Sequence, residues 1–143
     1  MVTLTNIMTD RLAFKLPDGW QDETIYRFKG PDDGDTQHVV SLVVDRHAGD
    51  VSLEQYARDR IDMTLLTLQP SEALKDETTT LGDGQSAYEA IIKWVPVDGE
   101  VIFRKMIFVV HNGVGYYLSG NFTKKTIKTV ALDMNRLMVN ILS

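Results

Sequence analysis

The sequence predicts an α+β domain in which two helices pack on a mainly antiparallel sheet. Three observations carry this prediction. Short segments of alternating apolar and polar residues recur along the chain, most of them separated by glycine- or proline-containing turns. Two longer segments place their apolar residues at helical spacing instead. The resulting order, β-β-β-α-β-β-β-β-α, is rich in hairpins and so implies antiparallel pairing with helices laid on the sheet. The 143 residues form one domain, 1–143, long enough to bury roughly 70% of the unfolded surface. No repeat, linker or low-complexity tract divides it.

The first strand is expected at Arg11–Leu16, with Leu12, Phe14 and Leu16 on one side. Pro17-Asp18-Gly19 stops it, because proline fixes φ and lacks an N–H while glycine permits the left-handed conformation. Trp20 then stands beside the turn, where a tryptophan plugs one end of a core. Glu23–Lys29 is the second strand, Thr24, Tyr26 and Phe28 facing opposite to Ile25 and Arg27. Gly30-Pro-Asp-Asp-Gly-Asp35 is a solvated acidic loop without the spacing or distal glutamate of an EF-hand. His38–Asp45 is the third strand, with Val40, Leu42 and Val44 opposing Ser41, Val43 and Asp45.

Ser52 opens the first helix, because Ser52 with Gln55 fits a capping box and Glu54 suits the positive end of the helix dipole. Its apolar stripe is Leu53, Tyr56, Ala57, Ile61, Thr64, Leu65 and Leu68, and Pro70 ends it. Met63 and Leu66 fall off that stripe, so this helix carries more apolar surface than one contact with a sheet requires. Ala73–Thr80 is a strand leading to Gly82-Asp83-Gly84. Gln85–Val95 and Glu100–His111 form a hairpin through Pro96-Val97-Asp98-Gly99, and Asn112-Gly113 turns the chain into the last strand, Gly115–Phe122. In the Glu100–His111 arm, Phe103, Lys105 and Ile107 alternate with Arg104, Met106 and Phe108. A final helix is expected over Thr126–Leu142, with Ile127, Val130, Ala131, Met134, Leu137, Met138 and Ile141 as its buried face.

Composition narrows the function. The hydrophobic fraction of 43% and charged fraction of 24% are those of a globular protein, and the net charge of −5 argues against nucleic-acid binding. No run approaches the ~18 apolar residues that span a bilayer, and Met1–Arg11 lacks the pattern of a signal peptide, so a cytoplasmic location is expected. Without cysteine there is no disulfide framework or thiol chemistry. His38, His47 and His111 form no metal-binding pair, and no nucleophile elbow, phosphate loop or dinucleotide fingerprint is present. Carboxylates are plentiful but unpaired. No catalytic residue, metal ligand or cofactor is therefore expected.

Several strands are apolar on both faces, whereas a sheet covered on one side alternates cleanly. Ile25, Val43, Phe103 and Ile107 are expected on faces opposite the Phe28, Leu42 and Phe108 sets. Either the two helices cover one face each, or one face is a semi-apolar surface for dimerisation or for a hydrophobic partner. Ser41, Asp45, Arg27 and Lys105, interspersed on such a surface, would keep it soluble and offer hydrogen bonds.

Leu16-Pro17, Trp20-Gln21-Asp22, Thr24-Ile25, Phe28, Ser41-Leu-Val-Val44 with Arg46, Tyr56, Gly84, Ala87, Trp94, Arg104 and Phe108, closed by the amphipathic last helix, form a pattern over essentially the whole chain. It resembles the DcrB-like family with its PsbP-like fold, and within it most resembles the Eag-type chaperones of type VI secretion effectors. The resemblance implies a curved, mainly antiparallel sheet of about six or seven strands with two main helices. It implies a non-enzymatic cytoplasmic homodimer that shields the hydrophobic N-terminal transmembrane segments of a PAAR-type effector before secretion. The positions matching the family's client cradle are Ile25, Arg27, Ser41, Val43, Asp45, Arg60, Leu68 and Lys105. Charges there cost several kcal/mol against an apolar segment unless they snorkel or find partners. The alternative within the family is a structural or small-ligand-binding module, whose signature would be a cavity lined by Trp94 or Trp20.

Overall fold

Alternation becomes six antiparallel strands in the computed structural model, which describes residues 17–20, 23–33, 36–46, 48–97 and 99–142. The strands are β1 (Glu23–Asp33), β2 (Thr36–Asp45), β3 (Ser71–Thr80), β4 (Ser86–Trp94), β5 (Ile102–His111) and β6 (Val114–Thr123), with helix α1 (Leu53–Thr67) between β2 and β3 and helix α2 (Asp133–Leu142) at the end. They form one sheet in the order β1-β2-β6-β5-β4-β3. The strand expected over Arg11–Leu16 lies outside the described residues. Two hairpins, β1–β2 and β5–β6, are thus joined through β2 and β6, while β4 and β3 extend the sheet beyond β5.

Each face of the sheet has its own core. Leu42, Val44, Ile107, Val109, Leu118 and Phe122 are buried on one face beneath Ala131, Met134 and Met138 of the C-terminal segment. Ala90, Ile92, Met106 and Phe108 are buried on the other beneath Tyr56, Ala57 and Ile61 of α1. The doubly apolar strands therefore follow from a helix on each side.

Local chemistry sets the element ends. Ser52 caps α1 by accepting from the Gln55 N–H at 3.1 Å, as its spacing predicts, and the Leu68 N–H closes the last turn on the Thr64 carbonyl at 2.8 Å. The β5–β6 turn has φ values of 52° at Asn112 and 76° at Gly113, the two left-handed positions for which Asn-Gly is suited. β1 runs four residues past the expected Lys29, with a bulge between Lys29 and Asp32.

Two expectations are corrected. Trp20 is 71% exposed among the described residues, so it does not plug the core. The final helix starts at Asp133, preceded by a 3-10 turn over Val130–Leu132, not at Thr126. Thr123 and Thr126 explain the delay: the Thr123 N–H donates to Thr126 Oγ1 at 3.0 Å and the Thr126 N–H to Thr123 Oγ1 at 3.3 Å. Threonine side chains here offer the backbone a local alternative to helix, and the β-branched run to Val130 does not compete strongly.

Candidate functional site

The register of four strands and the placement of α1 create an open groove. Ile25 pairs with Val43, Val43 with Tyr117 and Tyr117 with Phe108, making one row across the sheet. The next row runs Arg27, Ser41, Ser119 and Met106. Pairing conserves side-chain direction, so all eight residues share the α1 face. Burial falls steadily along these rows. Phe108 and Met106 are fully buried under α1, Tyr117, Val43, Ser119 and Ser41 are half-buried, and Ile25 is 59% exposed beside an exposed Arg27. Thus, among the described residues, α1 covers the β4–β5 half and leaves the β6–β2–β1 half open.

Two ion pairs fix how α1 lies. Arg58 reaches Asp76 of β3 at 2.8 Å, while Arg60 reaches Asp45 of β2 at 3.1 Å. The flank bearing Tyr56 and Arg60 therefore faces the open half. At helical spacing Met63 and Thr67 fall on that same flank, and Met63 is 63% exposed. The groove has a sheet floor and a helical wall.

The Tyr56 ring anchors the wall. It packs edge-on to Phe108, with ring centroids 6.2 Å apart, and the Arg60 guanidinium lies 3.8 Å above its centroid. Burial pushes the Tyr56 hydroxyl up to about 12. That hydroxyl has no hydrogen-bond partner and rests over Gly115, where an added Cβ would lie 2.4 Å from Tyr56 Cζ. Only glycine allows this approach of helix to sheet.

Arg60 thus does not project a bare charge into the groove, since Asp45 and the Tyr56 ring hold it at one end. At the other end Arg104 donates to Asn121 Oδ1 at 2.9 Å. Between them the floor is apolar and hydroxyl-bearing, except for Arg27 near the β1 edge.

Of the residues named from sequence, Ile25, Arg27, Ser41, Val43, Asp45 and Arg60 come together here. Leu68 is half-buried as the C-cap of α1 and continues the Ala57–Ile61–Thr64 stripe, not the groove flank. Lys105 is on the other face. It pairs with Gly120, which pairs with Val40, and so shares the side of Leu42 and Phe28. There it is 4% exposed. Its Nζ lies 3.8 Å from Glu89 and donates to the Ala131 carbonyl at 3.3 Å, and burial pushes its pKa down. Lys75 reaches the same Glu89 oxygen at 3.4 Å. This triad, in which Glu89 and Lys105 are buried and Lys75 is half-exposed, tethers the 3-10 turn before α2 to the sheet. Sequence reasoning also missed Tyr117 and Ser119, although the two-residue Asn112-Gly113 turn places Tyr117 opposite Phe108.

The triad makes a stability prediction. Glu89→Gln leaves the buried Lys105 ammonium without its carboxylate and should cost about 3 kcal/mol, because removing one partner strands a buried charge. Lys105→Met, which removes the more buried cation, should change stability by less than about 1 kcal/mol. Urea unfolding midpoints check both, and a Lys105→Met loss as large as that of Glu89→Gln would contradict this account.

Trp94 lines a surface depression of about 260 Å³ with Pro70, Ser71, Glu72, Lys93 and Val95, and its indole N–H lacks a partner. Among the described residues no group of three His, Asp or Glu side chains is placed to hold a metal ion. No helix among them is long and apolar enough to cross a membrane.

No protein-family model matches the chain, and no curated protein matches it. Its fold is similar to that of PA94, a protein of unknown function from Pseudomonas aeruginosa, with a TM-score of 0.68 and 18% identity over 87% of this chain and 86% of that one. At that identity the likeness is one of architecture: an α+β domain whose six described strands form an open antiparallel sheet carrying two helices.

Proposed function

We propose that the chain is a non-catalytic, cytoplasmic adaptor-chaperone whose groove shields a hydrophobic segment of a secreted protein. By its sequence resemblance to Eag-type chaperones, the client is the N-terminal transmembrane region of a type VI secretion effector, held by a homodimer. The observation that carries this reading is the half-covered sheet face: among the described residues three adjacent strands, β6, β2 and β1, lie open beside a helix flank that presents Met63 and the Tyr56 ring next to the paired Arg60. Strands about 4.8 Å apart make that floor about 10 Å wide, close to the roughly 10–12 Å diameter of a helix with its side chains. An amphipathic or transmembrane helix laid there would touch Ile25, Val43 and Tyr117 below and Met63 beside it, the helix-in-groove mode.

Two polar features suit such a client. Ser41 and Ser119 offer hydroxyls at the centre of the floor, where small polar side chains of a transmembrane helix would otherwise go unpaired. The Arg60–Asp45 pair is neutral in sum, so it costs an apolar client far less than an unpaired arginine would. Burying apolar surface at roughly 25 cal/mol per Å² supplies the driving force.

The test is co-expression with the N-terminal segment of the product of the adjacent gene, followed by affinity purification and light scattering. The expected result is a soluble complex with two copies of this chain per client. An insoluble client beside free chain would reject the reading.

A further inference from the structure

A second cavity lies on the face away from the groove, between α2 and the β1–β2 hairpin. Its volume is about 310 Å³; Phe28, Val40, Phe122, Val130, Met134 and Leu137 form its apolar walls, and Asp133 and Asn140 also line it. His38 also lines it. This histidine is 1% exposed, its ring stacks on Phe122 at 5.3 Å, and neither Nδ1 nor Nε2 has a hydrogen-bond partner. A buried polar group left unpaired costs about 1–3 kcal/mol. A phenylalanine or leucine at this position would fill the same space without that cost.

Water alone is a poor solution, since an ordered buried water needs two to four polar partners and the cavity lining is mostly apolar. An anionic ligand is disfavoured too. The cations near the cavity, Lys29 and Arg136, are exposed at its rim, and Arg136 pairs with Asp133 at 3.3 Å. A hydroxyl fits best, because a neutral imidazole presents one donor and one acceptor nitrogen and a hydroxyl serves either. The cavity is about twice the roughly 150 Å³ that accommodates benzene, and two of its walls are aromatic.

We propose that this cavity binds a small single-ring aromatic alcohol, with its hydroxyl hydrogen-bonded to His38 and its apolar body between α2 and the hairpin. The site is independent of the groove, which lies on the opposite face of the sheet. The probes are 4-propylphenol and its hydroxyl-free counterpart, propylbenzene, added to the full chain. 4-Propylphenol should raise the unfolding temperature saturably and shift the His38 imidazole resonances in a histidine-labelled sample. Propylbenzene should bind at least tenfold more weakly. His38→Phe should abolish that difference. Should His38→Phe fail to fold, Leu137→Trp, which fills the cavity from the half-buried α2 wall, should abolish binding of both compounds. Equal binding of the two compounds to the unaltered chain, or no response of its His38 resonances to either, would overturn the proposal.

Discussion

Ile25→Asp and Val43→Asp should each weaken client retention about 30-fold or more while leaving the chain folded. The reasoning joins the exposure of these residues in the free chain to their position in the groove. Ile25 is 59% exposed, and substitutions at such surface positions usually change stability by no more than about 0.5 kcal/mol. Val43 is half-buried beside Tyr117, so its change should cost the fold about 1 kcal/mol. In a complex with a hydrophobic segment, both side chains would be enclosed. A carboxylate there would lose water without gaining a partner, and a loss of about 2 kcal/mol corresponds to roughly 30-fold in affinity. Lys105→Met supplies the control, because Lys105 lies on the opposite face and its replacement should leave client retention unchanged. The measurement is the client-to-chain ratio after co-purification, read beside the circular dichroism of each variant. Unchanged retention by Ile25→Asp would remove the groove as the client site.

Gly115→Ala should destabilise the chain by about 3 kcal/mol, at the upper end of overpacking costs, lowering the melting temperature by ~10 °C for a domain of this size. The added Cβ would lie 2.4 Å from Tyr56 Cζ and 2.6 Å from both Cε1 and the hydroxyl. The ring has little freedom to retreat. Phe108 meets it edge-on, Arg60 lies over its face, and the Arg60–Asp45 contact ties its helix to β2. Relief therefore requires the helix to lift from the sheet, which would also reshape the groove wall. Tyr56→Leu shortens the offending side chain, so the double variant should be more stable than additivity of the two single changes predicts. A double-mutant cycle by thermal unfolding reads that coupling directly. Simple additivity would show that the helix–sheet contact at Gly115 is not what determines the cost.

Much of the fold was legible because hairpin chemistry is local. Asn112-Gly113 announces a two-residue turn, and such a turn fixes every pair from His111–Val114 to Arg104–Asn121. Ser52 with Gln55 announces the start of α1, and Met63 and Leu66, off the apolar stripe, are exposed as their spacing implies. Less was legible where two conformations compete within a short range. The Thr123–Thr126 hydrogen bonds that delay α2 are invisible to a periodicity argument, since Ile127, Val130 and Ala131 stand at helical spacing whether or not that segment is helical.

The sequence by itself determined which residues lie on the same side of each strand, where the chain turns, and that apolar surface exceeds what a one-sided sheet needs. Tertiary structure alone decided which side of one hairpin joins which side of the next. The pairing of β2 with β6 aligns Leu42 with Leu118 and Ser41 with Ser119, which places Lys105 in the core beneath α2 and Arg104 on the groove face. A shift of one residue would exchange the two faces of the whole hairpin. Alternation selects a register when one face is polar. Here both faces of β5 are mainly apolar and each carries one cation, Lys105 on one and Arg104 on the other, so alternation does not discriminate. The choice belongs to long-range packing: α1 takes Phe108 and Met106, α2 takes Ile107 and Leu118, and the strands left uncovered form the groove.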